Sequence, residues 1–280
     1  MPIHDQGYRR RESPAPLRRF RAAPIAMLAV RQILARRALI ILAGLSMIPF
    51  LLETFGLVVV SRFPDFAAML PPLPQMFGRG LLFQLGFAVL ITIWAGTGLV
   101  ADDFRTGALL VYFSRPLTRA DYVAGKLGVL VALNLAVTAA PMLLLWVVAV
   151  AFDSHDLVKR GLAFLPGSIL VLSLVASLVL AIVAMAAGAL TRNAMMGGAV
   201  IVGALVLSEI AAAPLPAGAR VPLHMLSIGR HLIVLQEALF QAPAESASLH
   251  WAASLACLAL IVWGAGAVLW RRLQAVEVVA

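Results

Sequence analysis

Charge is what this 280-residue chain has least of: 12% of its residues are Asp, Glu, Lys or Arg, where a soluble domain has about a quarter. Cysteine is nearly absent too; the single Cys257 rules out a disulfide scaffold. Acidic residues number 13 against 22 basic ones, and they form no carboxylate pair facing a plausible cleft. No Ser-His-Asp set and no metal-ligand spacing is present either, so neither a catalytic nor a metal centre can be argued. What the chain has instead is 62% hydrophobic residues. That excess cannot all be hidden inside a water-soluble core, and it equally excludes intrinsic disorder. The composition is that of a membrane protein.

A spanning helix needs about 20 apolar residues to cross about 30 Å of hydrocarbon. Six intervals between charged residues are long enough, predicting spans at about 38–60, 80–101, 127–152, 165–190, 194–213 and 249–270. The first is broken only by Glu53 and the fifth only by Glu209. An unpaired backbone polar group in lipid costs several kcal/mol, so each span should be helical. The predicted fold is an all-α polytopic membrane domain over 38–272, with Pro49 and Pro141 kinking the first and third spans.

Basic residues are distributed unevenly between the two sides. The N-terminal region, the second and fourth connections and the C-terminus hold 16 of the 22; Arg62, Arg79, Lys159, Arg160, Arg220 and Arg230 lie opposite. The positive-inside rule then puts both termini in the cytoplasm. The net charge of +9 is read as this topology signal plus attraction to the lipid bilayer, not as nucleic-acid binding, because no basic folded domain exists to carry the latter.

Residues 1–21, rich in Arg and Pro, are expected to be a disordered basic tail. Residues 22–37 are expected to form an amphipathic interfacial helix, with Met27, Val30, Ile33 and Leu34 on one arc and Gln32 and Arg36 opposite. A second amphipathic segment, 222–241, precedes the last span on the outer side. Its His224, Ser227, Arg230, His231 and Glu237 share one face, and the segment should lie on or dip into the outer leaflet. His224 and His231 are seven residues apart, about 10 Å along a helix, too far to chelate one ion without a third element, so both are expected at the surface.

The most ordered-looking polar sequence is the loop 102–126. Asp102 and Asp103 close the second span, and Gly107 permits a tight change of direction. Leu109, Leu110 and Phe113 give a short apolar stripe before Arg115 and Pro116, where helix is disfavoured. Thr118 followed by Asp121 resembles a capping box that starts a new short helix. The expectation is two short helices with a hinge between them.

These residues resemble the loop between the second and third spans of ABC-2-type (type V) ATP-binding cassette exporter permeases. That pattern is an acidic residue, three residues, Gly-Thr-Leu, then Ser-x-Pro-x-Ser/Thr-Arg and a closing Gly-Lys. Asp103, Gly107, Ser114, Pro116, Thr118, Arg119, Gly125 and Lys126 occupy it, with Arg115 between the serine and the proline and Asp121 after the arginine. The departures are Asp103 where Glu is commoner and Ala108 where Thr is usual. Length and span count agree with the short six-span subfamily similar to permeases associated with multicopper-enzyme maturation. The resemblance implies a permease of the bacterial cytoplasmic membrane that pairs with a second copy, in the simplest case as a homodimer. It also implies two copies of a separate ATPase subunit, which bind the ATP and Mg and touch this loop, the coupling segment. In agreement, Gly125-Lys126-Leu127 lacks the rest of a phosphate loop, so no cofactor is expected on this chain.

Glu53 and Glu209 lie about 22 to 24 Å along their helices from the cytoplasmic ends. Two readings stand: an acidic ring at the outer mouth of a pathway, or two side chains that reach the outer headgroups. Met195 and Met196 are expected to face lipid or pack rather than bind soft metals, and Gln84, Asn134, Ser173 and Ser177 to hydrogen-bond between helices. Small residues at Ala184 and Gly188, and at Ala199 and Gly203, have the spacing of close helix contacts. Three functions compete: an exporter permease subunit, a subunit transmitting ATPase motion to an outer partner without carrying a solute, and, least supported, an intramembrane enzyme.

Overall fold

The computed structural model describes residues 22–63, 65, 71–114, 117–152, 162–212, 227–241 and 250–275. Among these the regular structure is helical, with no strand. The helices are α1 (Ala23–Leu34), α2 (Arg37–Leu45), α3 (Met47–Arg62), α4 (Leu73–Thr106), α5 (Ala108–Phe113), α6 (Arg119–Val137), α7 (Ala139–Phe152), α8 (Leu165–Thr191), α9 (Ala194–Ala212), α10 (Ile228–Leu239) and α11 (Trp251–Gln274). A 3₁₀ turn, Leu162–Phe164, leads into α8.

Five of the described segments are long and apolar enough to cross a membrane: Arg37–Arg62, Leu73–Thr106, Arg119–Phe152, Leu162–Thr191 and Trp251–Gln274. The chain is a multi-pass membrane protein. The predicted fifth span is the 19-residue α9, whose apolar stretch Ala194–Ile210 is shorter than those five. The tail 1–21 lies outside the described residues, as do His224 and the first part of the outer segment.

Two of the long segments are bent pairs, and the bends share a cause. Proline cannot donate to the carbonyl four residues back and its ring crowds it. The break between α2 and α3 falls at Ser46, three residues before Pro49; the break between α6 and α7 falls at Thr138, three before Pro141. Side-chain hydroxyls fold back onto the preceding turn at both bends: Ser46 Oγ donates to the Ala43 carbonyl at 2.6 Å, and Thr138 Oγ1 to the Asn134 carbonyl at 2.8 Å. Both predicted kinks are therefore present.

Helices α4 and α8 form the buried centre of the bundle, while the first and last spans are its most exposed. Between helices in lipid, close van der Waals packing replaces the hydrophobic drive, and α4 and α8 achieve it with small residues. A Cβ on Gly188 would lie 2.5 Å from the Thr97 carbonyl oxygen, and one on Gly96 would lie 2.8 Å from Ala184 Cβ. The Ala184 and Gly188 spacing thus marks a true contact, whereas Gly203 faces open space.

Buried side chains form two large clusters along the bundle, with a small third one of Ala184, Ala187 and Ile201 between α8 and α9. One, at the end that carries Arg36, Asp102, Asp103 and Lys126, includes Ile25, Leu99, Leu109, Tyr122, Met185 and Leu273. We call this the charged end. The other cluster, at the opposite end, includes Phe77, Leu81, Met142, Leu172, Leu235 and Leu258.

Local differences from the sequence reading have physical reasons. The second span is longer than 80–101, because Pro72 and Leu73 start a helix that runs unbroken to Gly107. No separate short helix follows Thr118: α6 starts there and continues through Gly125 and Lys126 into the third span. Helix α1 buries Ile25, Ala29 and Ile33, an i, i+4, i+8 stripe, against α6, and leaves Met27, Val30 and Leu34 exposed. It has two apolar sides where one was expected. His231, expected at the surface, is fully buried, with Gln236 and Glu237 also buried on α10. Helix α10 packs into the bundle against α4, α8, α9 and α11.

Candidate functional site

The site at the charged end begins with an electrostatic problem. Asp102 and Asp103 sit in the last turn of α4, where the helix dipole disfavours negative charge. Each acid has its own cations. Asp102 is held by Arg36 at 3.2 Å, both half-buried, and faces the exposed Arg105 at 3.6 Å. Asp103 is buried and pairs with Lys126, the eighth residue of α6, at 2.5 Å, with side chains only 5% and 2% exposed.

A buried ion pair survives only when its remaining hydrogen-bonding capacity is met. Lys126 Nζ also donates to the Leu99 carbonyl oxygen and lies 5.0 Å from the centre of the Tyr122 ring. The Tyr122 hydroxyl donates to the same Asp103 oxygen at 2.9 Å. Tyr122, four residues before Lys126, shares its helix face, so α6 presents both groups to the end of α4. The result is a polar bolt between the second and third spans.

The chain between these anchors is short and constrained. Gly107 ends α4 with φ at 71°, a left-handed conformation costly for other L-residues, and its N–H donates to Asp103 O. Helix α5 follows at once. Its Leu109 is buried, and Tyr112 and Phe113 pack on the Tyr122 ring at centroid distances of 5.9 and 6.2 Å. Burial, and next the charge of Asp103, raises the Tyr112 phenol above its ordinary pKa. Ser114 ends α5, its hydroxyl donating to the Val111 carbonyl at 3.0 Å. Arg115 and Pro116 lie outside the described residues.

Thr118 and Asp121 form a complete capping box: Asp121 N–H donates to Thr118 Oγ1 at 3.1 Å, and Thr118 N–H to Asp121 Oδ2 at 3.0 Å. The Arg119 guanidinium lies 5.8 Å from the Phe113 ring centre, linking the start of α6 to α5. Gly125 faces α1, where a Cβ would meet the Ala22 carbonyl oxygen at 3.0 Å. The Gly-Lys pair is thereby explained: glycine seats α1, and lysine reaches α4.

What this arrangement leaves outside is equally informative. Leu110 and Val111, 49% and 59% exposed, project from α5 beside the most polar part of the chain. They form an apolar tip at the charged end, on a helix fixed through Tyr112, Phe113 and Tyr122 to both flanking spans.

Comparison with protein-family models gives no match, and comparison with curated proteins gives none either.

Glu53 and Glu209 have different surroundings. Glu53 packs against Gly80 of α4, where a Cβ would nearly coincide with its carboxylate, in a groove also lined by Pro49, Arg79, Phe83 and Phe87. Glu209 accepts a hydrogen bond from the Ser227 hydroxyl at the N-cap of α10, next to Gly229. A carboxylate there is favoured by the helix dipole. Within one chain the two acids differ: Glu209 is held by Ser227, whereas Glu53 Oε2 is buried with no hydrogen-bond partner among the described residues.

Of the other polar residues, Asn134 accepts from Thr92 at 2.9 Å, the expected interhelical bond. Gln84, Ser173 and Ser177 are buried, but their side-chain atoms have no hydrogen-bond partner among the described residues. Met195 and Met196 are exposed. No group of three metal-ligating side chains occurs among the described residues. Sequence reasoning passed over Tyr122 and Arg36. Tyr122 could have been found from its i, i+4 spacing to Lys126 on a capped helix; Arg36 carries no local signal, since its partners are 58 and 66 residues away.

Proposed function

We propose that this chain is the membrane subunit of an ATP-binding cassette exporter of the ABC-2 type, with α9 as a sixth span and both termini cytoplasmic. A separate ATPase, present in two copies, hydrolyses ATP with Mg, and a second copy of this chain, in the simplest case identical, completes the pathway in the bacterial cytoplasmic membrane. The observation that carries the reading is α5: a six-residue helix with an apolar tip, Leu110 and Val111, clamped to two spans by the Asp103, Tyr122 and Lys126 bolt. Such a clamp suits force transmission. A push on α5 would be passed to α4 and α6 together rather than absorbed by a slack loop. Arg119 over Phe113 and the Thr118–Asp121 capping box stiffen its second attachment.

The span arithmetic supports the topology. Helix α9 has 19 residues, about 28 Å at 1.5 Å per residue, enough for a thin or tilted crossing. Two bends at prolines in the first and third spans give places where the bundle can flex when α5 moves. In this reading Glu53 and Glu209 lie on the outward part of the pathway.

The runner-up, a subunit that drives an outer partner without carrying a solute, draws on α10. That helix is packed into the bundle and tied to α9 through Ser227 and Glu209, so it could relay motion outward. Site-directed cross-linking tests the shared core of both readings. With Cys257 replaced by Ser, a Cys at Val111 should cross-link to the ATPase and should be labelled by a membrane-impermeant thiol reagent only from the cytoplasmic side. Labelling from the outside would overturn the orientation.

A further inference from the structure

A second feature of the charged end is not used by the coupling segment. Between α2, α4 and α9 lies a cavity of about 550 Å³ lined by Arg36, Arg37, Trp94, Thr97, Met195 and Gly198, among others. Its walls are of two kinds. Two adjacent arginines stand at the charged end, and an apolar side of Trp94, Met195 and Ile93 leads toward the lipid-facing surface.

The two arginines differ in what they are free to do. Arg36 is committed: it donates to the Trp94 carbonyl at 3.0 Å and to Asp102 at 3.2 Å, over Gly98. It acts as a strut holding α2 against α4. Arg37, the first residue of α2, is exposed and has no ion-pair partner among the described residues. Asp102, the acid paired with Arg36, is shared with Arg105, so the rim keeps a positive excess.

Trp94 is 56% exposed and Met195 80%. On α4, Trp94 lies eight residues before Asp102, about 12 Å deeper in the span, so the arginines stand at the headgroup level and the exposed indole lies below them, beside the acyl region. A basic pocket between spans at that level favours an anionic lipid headgroup, which a guanidinium can bind through paired N–H groups.

We propose that this cavity binds an anionic phospholipid of the adjacent leaflet, its phosphate on Arg37 and its acyl chain along Trp94 and Met195. The proposal rests on the chain crossing a membrane and is independent of the exporter reading. Lipid binding could fail while ATPase pairing stands, and the reverse.

The test uses the purified full chain, with lipid retention read by native mass spectrometry after exposure to phosphatidylglycerol or phosphatidylcholine. The expected preference for phosphatidylglycerol is about tenfold, the worth of one charge-assisted contact. Arg37→Gln should abolish it without changing the melting temperature, Arg37→Lys should keep most of it, and Arg271→Gln, a basic residue of α11 outside the cavity, should leave it intact. Equal loss with Arg37→Gln and Arg271→Gln would reduce the effect to general surface charge and overturn the site. Displacement of the lipid by excess inorganic phosphate would overturn the lipid assignment in favour of a free anion. An unchanged preference in Arg37→Gln would overturn the proposal outright.

Discussion

Replacing Lys126 by Met leaves the Asp103 carboxylate buried, with the Tyr122 hydroxyl as its side-chain partner. Removing one member of a buried pair costs about 3–5 kcal/mol, because the other remains desolvated and uncompensated. Asp103→Leu should cost a similar amount by stranding Lys126, which keeps the Leu99 carbonyl and the Tyr122 ring. In the double variant no charge is stranded. The Tyr122 hydroxyl still loses its acceptor, at about 1–3 kcal/mol. The double variant should therefore cost about 1–3 kcal/mol, well short of the sum of the singles, and the double-mutant cycle should give several kcal/mol of coupling. The measurement is thermal or denaturant unfolding of the four proteins in the same detergent. If the double variant lost as much as both singles together, the two side chains would be acting independently and the bolt between α4 and α6 would not exist.

Three further outcomes follow from the packing. Gly188→Ala would press a methyl group against the Thr97 carbonyl and should destabilise by about 1–3 kcal/mol as α4 and α8 move apart; Gly203→Ala, in open space, should lie within about 0.5 kcal/mol of the parent in the same melts. Gly107→Ala should cost about 1–2 kcal/mol through its left-handed backbone, with no steric clash, measurable by denaturant unfolding. Thr118→Ala should cost about 1 kcal/mol and Thr118→Ser almost nothing, with faster amide exchange in the first turn of α6 reporting the lost cap.

The features legible in the sequence depend on local chemistry. Proline's missing donor placed both kinks, Thr118 and Asp121 placed the start of α6, and Gly107 placed the end of α4. The absence of charge located five crossing segments and the apolar core of α9. The features that were not legible depend on which helix lies next to which. The helix begun by the Thr118–Asp121 cap read as a short one; in the fold Gly125 faces α1 and Lys126 faces α4, so it continues into the third span. The polar stripe of α10 read as a surface, yet His231 and Gln236 are buried, Gln236 over the space left by Gly78. Periodicity identifies a face without saying what will cover it.

The central claim is that α5 is where an ATPase engages the chain. Affinity purification of the full chain from its native membranes, in a mild detergent, tests it most directly. The account predicts that an ATP-binding cassette ATPase is recovered with the parent protein. It also predicts that Leu110→Asp with Val111→Asp loses that ATPase while keeping the parent's melting temperature, since both side chains are exposed. Recovery of the chain with no such ATPase, or undiminished recovery with the double variant, would contradict it.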